Sequence, residues 1–152
     1  MAKGIIEAGV CGFTDPDNRR TYPWGKEDKK LIEYHRDLIK IHKDHEALMI
    51  GSIKFLGGKE NCLYYGRFTE EEMIVVALNN GEETANLEIP VWEIGVPNGV
   101  WMKQLILSDE KDYSKDTASY LVQHGKVYVN MPVKSAIILK YEADKALKTV
   151  TH

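Results

Sequence analysis

The chain has 152 residues, with 20 Lys+Arg against 23 Asp+Glu, 43% hydrophobic and 9% aromatic residues, the balance of a folded domain and not of a disordered or fibrous chain. A net charge of −3 with no concentrated basic run excludes the footprint of a nucleic-acid binder. Length excludes a complete (β/α)8 barrel, which takes about 250 residues, and no apolar run reaches the roughly 18 residues that a membrane span needs. Met1-Ala2-Lys3-Gly4 has no apolar signal core behind it, so the expectation is a soluble chain, cytoplasmic rather than secreted, with no nucleic-acid or membrane partner. Cys11 and Cys62 lie far apart, in no CxxC and beside no pair of histidines at ligand spacing. They are expected as reduced thiols.

Residues 10–25 are punctuated by Gly12, Pro16, Asn18, Pro23 and Gly25, which predicts a polar loop. From Lys26 to about Leu48 the period becomes helical. Leu31, His35, Leu38, His42 and His45, joined by Ile41 and Leu48, form one stripe, and Glu27, Lys30, Arg36, Lys40, Lys43 and Asp44 form the other face. After Gly51 the period becomes two, and eight strands are expected: Ile53 to Leu56, Cys62 to Phe68, Met73 to Asn79, Ala85 to Ile89, Gly99 to Leu107, Ser119 to Gln123, Lys126 to Met131 and Ala136 to Tyr141. Asn79-Asn80-Gly81 and His124-Gly125-Lys126 read as hairpin turns with residues suited to positive φ. Tyr64, Gly66 and Phe68, and Ile74, Val76 and Leu78, are expected to face the core. The fold class is therefore mainly β: an antiparallel sandwich of seven or eight strands, preceded by a loop and one long amphipathic helix. The expected organisation is residues 1–50 as loop and helix, 51–142 as sandwich, and 143–152 as a frayed tail.

The stretch Gly12-Phe13-Thr14-Asp15-Pro16-Asp17-Asn18-Arg19-Arg20-Thr21-Tyr22-Pro23-Trp24 resembles the loop after the eighth barrel strand in the alpha-amylase family of glycoside hydrolases, in particular the neopullulanase, cyclomaltodextrinase and maltogenic amylase group. Glu7-Ala8-Gly9 matches the end of the segment preceding that loop. Leu38-Ile39-Lys40-Ile41-His42-Lys43-Asp44-His45-Glu46-Ala47-Leu48 resembles the last barrel helix, and Gly51 follows at the family's spacing. Leu63 to Phe68 and Met73 to Asn80 resemble strands of the family's C-terminal sandwich. Ile5-Ile6 stand where a Gly-Asp pair would precede Glu7, Thr21 and Glu46 replace prolines, and residues 1–6 depart from a native barrel strand. The resemblance covers residues 7–141. It implies that residues 1–50 are the remnant of a barrel.

The same resemblance implies that the nucleophile, the acid/base and the transition-state carboxylate lie on earlier barrel strands, upstream of this chain. A retaining glycosidase needs two carboxyls about 5 Å apart on rigid elements. Asp15 and Asp17 share one loop, so no catalytic residue is expected here. Asp15 and Arg19 occupy the positions that, in the family, contact a glucosyl unit of the substrate; the other reading is that Asp15 and Asp17 cap turns while Arg19 and Arg20 pair with them.

His35, His42 and His45 share a stripe with no acidic ligand, so packing is expected there and neither a metal nor a cofactor. Tyr64, Tyr65, Trp92, Trp101, Tyr113, Tyr120 and Tyr128 fit either a sugar platform or the core and rim of a sandwich. Two functions follow. One is the C-terminal part of an alpha-amylase-like retaining glycosidase acting on maltodextrins, cyclomaltodextrins or pullulan, supporting the barrel, inactive alone and self-associating through its exposed helix. The other is a free-standing carbohydrate-binding sandwich. An independent hydrolase would need a Gly-x-Ser-x-Gly, an HExxH or a carboxylate pair, and none of these signatures is present.

Overall fold

The computed structural model describes residues 21–143. The chain divides into two compact units, Met1–Asp44 and His45–His152.

In the first unit, Asp28 starts the helix. Its Oδ1 accepts from the Leu31 N–H (3.0 Å) and its carbonyl from the Ile32 N–H (3.0 Å), the arrangement by which an N-cap aspartate satisfies first-turn donors. Helix α1 therefore spans Lys29–Asp44, and none of its residues is fully buried. Arg36–Glu33 and Lys40–Asp44 pair along its exposed face.

The expected single helix to Leu48 is interrupted. His45 takes an extended conformation (φ −123°, ψ 110°), and a separate turn, α2, follows at Glu46–Met49. The cause is tertiary. Glu72, at the start of a strand, accepts from the Ala47 N–H (3.0 Å) and from His45 Nδ1 (2.6 Å), and so draws both groups out of a continuing helix.

The rest of the second unit is all antiparallel, as the period-two patterning predicts. Strands β1 (Ser52–Lys59), β2 (Cys62–Phe68), β3 (Glu72–Asn79), β5 (Trp101–Ser108), β6 (Tyr113–Ser114), β7 (Ser119–Leu121) and β9 (Ser135–Glu142) make a seven-stranded sheet ordered β1-β2-β3-β9-β5-β6, with β7 also pairing β5. Strands β4 (Ala85–Ile89) and β8 (Val127–Met131) make a two-stranded ribbon. Nine strands form among the described residues where seven or eight were expected, because the two-residue β6 is too short to show a period.

The core lies between sheet and ribbon. Val75, Ala77, Met102, Ile137 and Leu139 of the sheet meet Leu87, Ile89, Val127, Val129 and Met131 of the ribbon. A 3-10 turn, Val91–Ile94, closes one end. Ile94 packs so closely on β2 that a Cβ at Gly66 would come within 2.8 Å of it, so any larger residue there would have to displace the Ile94 side chain.

Two expectations are corrected. On β2 the set Tyr64, Gly66, Phe68 does face the core, but on β3 the core-facing set is Met73, Val75, Ala77. Ile74, Val76 and Leu78 lie on the opposite face, where Ile74 and Val76 are still buried and Leu78 is exposed. Asn79-Asn80-Gly81 is a crossing from sheet to ribbon, since β4 pairs with β8 and not with β3, and neither Asn80 nor Gly81 has a positive φ. His124-Gly125 is the expected hairpin turn, with φ of 52° and 75°.

Candidate functional site

Asp15 and Arg19 lie outside the described residues, as do residues 1–6, Cys11 and the tail beyond residue 143. What is described of that loop is its end. Lys26 N–H donates to the Pro23 carbonyl (2.8 Å) and Trp24 N–H to that of Tyr22 (2.9 Å), a tight turn with Gly25 at φ 76°. Gly25 N–H donates to Glu27 Oε1 (2.9 Å), a bond that holds the Glu27 carboxyl below the usual carboxylate range. The turn presents Trp24, 82% exposed, with the Tyr22 ring tilted against it at 4.6 Å.

Two of the stripe histidines have partners of their own. His35 Nδ1 donates to the Leu31 carbonyl (2.8 Å), and His45 is bound to Glu72. Among the described residues no group of three or more His, Cys, Asp or Glu side chains is placed to hold a metal ion.

A polar hollow of about 330 Å³ lies beside the crossing, lined in part by Lys59, Asn61, Cys62, Asn79, Glu83 and Asn86. Its centre is structural. Asn79 Nδ2 donates to the Glu83 and Pro132 carbonyls (both 2.8 Å), while its Oδ1 accepts from the Gly81 N–H (2.9 Å) and the Cys62 thiol (3.5 Å). The amide is fully used in tying β3 to the segments around the ribbon, and burial pushes the Cys62 thiol up, away from the reactive thiolate.

Five of the seven aromatics separate clearly by environment. Tyr64 and Tyr120 pack against the core, and Tyr120 Oη donates to Gln104 Oε1 (3.2 Å). Trp92, Trp101 and Tyr128 are exposed, by 61%, 58% and 45%. Tyr128 lies in a polar cluster on the ribbon, and Trp92 adjoins the hairpin tip that leads into it. Trp92 N–H donates to the Gly125 carbonyl (3.0 Å) at the hairpin tip, and Lys126, the next residue, reaches Glu88 Oε2 (2.9 Å) on the facing strand. Glu88 stands opposite Tyr128 in the ribbon register. The Glu88 carboxylate, by hydrogen bond and charge, raises the Lys126 ammonium above the usual lysine range. Asn130 Nδ2 donates to Asn86 Oδ1 (2.7 Å) farther along the same face. The sequence named these two aromatics among seven; the pairing of β4 with β8, which assembles Glu88, Lys126 and the two asparagines along the ribbon with Tyr128, had no local signal.

No family model matches the chain. Over 145 residues it is 28% identical to an amylopullulanase of Thermoanaerobacterium saccharolyticum, covering 88% of this chain and 11% of that protein. Over 107 residues it is 28% identical to a cyclomaltodextrinase of Geobacillus thermopakistaniensis, covering 68% of this chain and 18% of that protein. The chain therefore spans less than a fifth of the length of these relatives. Among solved structures, an alpha-amylase of Anoxybacillus superposes with a TM-score of 0.72 at 23% identity, over 90% of this chain and 27% of that one; the likeness there is one of fold.

Proposed function

We propose that this chain, whose sequence relatives and fold neighbours are alpha-amylase family enzymes, is the C-terminal part of a retaining glycosidase that acts on α-glucans such as maltodextrins, cyclomaltodextrins or pullulan. Residues 1–50 are its last barrel loop and helix, and the sandwich supports the barrel. The observation that carries the reading is the coverage: 88% of the chain aligns with 11% of an amylopullulanase, so the matched region is a small portion of a much longer enzyme. In the parent enzyme proposed for this chain, Asp15 and Arg19 are assigned to the glucan site.

The outer face of the large sheet supports a partnering role. Ile53, Phe55, Leu63 and Leu78 share that face by register and are between 36% and 68% exposed, an aliphatic and aromatic surface suited to cover by another part of the enzyme. The test has two arms. The upstream reading frame is expected to encode a barrel with Asp, Glu and Asp at strand ends. The 152-residue chain alone is expected to release no reducing sugar from pullulan, starch or β-cyclodextrin, and release abolished by Asp15→Ala would overturn its assignment as inactive.

In isolation the chain is expected to self-associate through α1, which buries none of its residues and leaves Ile39 53% exposed. Sedimentation velocity should then show Leu38→Glu shifted toward monomer with the sandwich melting unchanged. A wild-type chain that stays monomeric at high concentration would remove this role from the helix.

A further inference from the structure

We propose that the solvent face of the β4–β8 ribbon, together with Trp92, is a binding surface for an α-linked glucan chain. The polymer's identity rests on the function proposed above; the surface itself rests on the ribbon.

A pyranose asks for two things at once: a flat apolar surface for its C–H face, and fixed donors and acceptors for its hydroxyls. The ribbon supplies both. Lys126, just before β8, and Tyr128 and Asn130 on it alternate outward, and β4 sets Glu88 and Asn86 beside them. Five side chains thus occupy a strip about 13 Å long. Each polar group is already oriented by a neighbour, Lys126 by Glu88 and Asn130 by Asn86, while retaining further lone pairs or N–H groups for a ligand.

Trp92 is exposed yet fixed. Its backbone is tied to Gly125, and its Cβ and Cδ1 lie so close to that glycine that a Cβ there would be within 3.0 Å of both. Gly125 in turn donates to Asn98 Oδ1 (3.2 Å) and sits at φ 75°. An indole held this way loses little freedom on binding.

Charge and composition select the ligand class. Glu88 and Lys126 cancel and the amides are neutral, so the strip has no net charge to draw nucleic acid or an acidic peptide. Its outward positions carry no aliphatic side chain, whereas the core of a protein interface is enriched in apolar groups. The outer face of the large sheet, with Ile53, Phe55, Leu63 and Leu78, is of that second kind.

The experiment is titration of the full 152-residue chain with maltoheptaose, followed by amide and indole NMR shifts, with cellohexaose as the linkage control. Saturable shifts at Trp92, Lys126 and Tyr128 are expected. Trp92→Ala and Tyr128→Ala should each weaken binding roughly fivefold or more with melting midpoints unchanged, since neither side chain belongs to the core. No saturable shift with maltoheptaose, or shifts insensitive to both substitutions, overturns the surface. Equal binding of cellohexaose overturns the α-linked assignment. An upstream frame without a barrel, with ribbon binding intact, overturns the enzyme reading and leaves this surface as that of a free-standing binding module.

Discussion

A chain carrying Val75→Asp is expected to be unfolded at room temperature, with no cooperative urea transition in its circular dichroism. Val75 is fully buried at the middle of β3, facing Gly66 of β2 on one side and Leu139 of β9 on the other. The substitution removes about 2 kcal/mol of apolar burial and places a carboxylate in the apolar core cluster that includes Met102, Ile137 and Val129. Burying an unpaired charge costs several kcal/mol more, and domains of this size have only about 5–15 kcal/mol in hand. Val75→Ala, which loses volume alone, should cost roughly 2–3 kcal/mol and stay folded. Leu78→Asp, three positions along the same strand but 36% exposed on the other face, should lower the midpoint far less. If Val75→Asp melts like wild type, or Leu78→Asp is the more damaging of the pair, the assignment of β3's two faces is wrong.

That contrast marks where the sequence ceases to be legible. Strands with alternating burial were readable to the residue: Cys62–Phe68 and Ala85–Ile89 form with the expected bounds. Between Glu72 and Asn79, β3 reads Met-Ile-Val-Val-Ala-Leu, six apolar residues in a row, so period two gives no phase and the facing is set by register with β2 and β9. The division into seven strands and two was equally hidden, because the pairing of β4 with β8 joins segments about 40 residues apart. His45 fits the helical stripe perfectly well as a residue; what ends the helix there is a carboxylate 27 positions away. For the site, composition pointed to aromatics in general. Which of them stay in solvent depended on the ribbon and on the hairpin at Gly125.

Removing that carboxylate should give the second large effect. Glu72 is only 12% exposed at its side chain, and it serves three groups: the Ala47 N–H at 3.0 Å, His45 Nδ1 at 2.6 Å and, more distantly, Lys140 Nζ at 3.9 Å. α2 has four residues, too few to hold themselves helical in water, yet it buries Ala47 completely and Leu48 to 9% exposure. Glu72 supplies the N-terminal acceptor that α2 lacks locally, since His45 makes no capping bond of its own. In Glu72→Ala the Ala47 N–H and the His45 ring lose their partner where water has little access, and a loss of about 3 kcal/mol is expected. Glu72→Gln keeps one carbonyl acceptor and should lose roughly half as much. High salt should change the wild-type midpoint little, because screening acts weakly on a pair so far from solvent. Hydrogen exchange locates the damage: the amides of Ala47 to Ile50 should lose protection in Glu72→Ala while those of Val75 and Leu139 keep theirs. Were Ala47 and Leu48 to stay protected and the midpoint unmoved, apolar packing alone would be holding α2 against the sheet, and the break at His45 would need another cause.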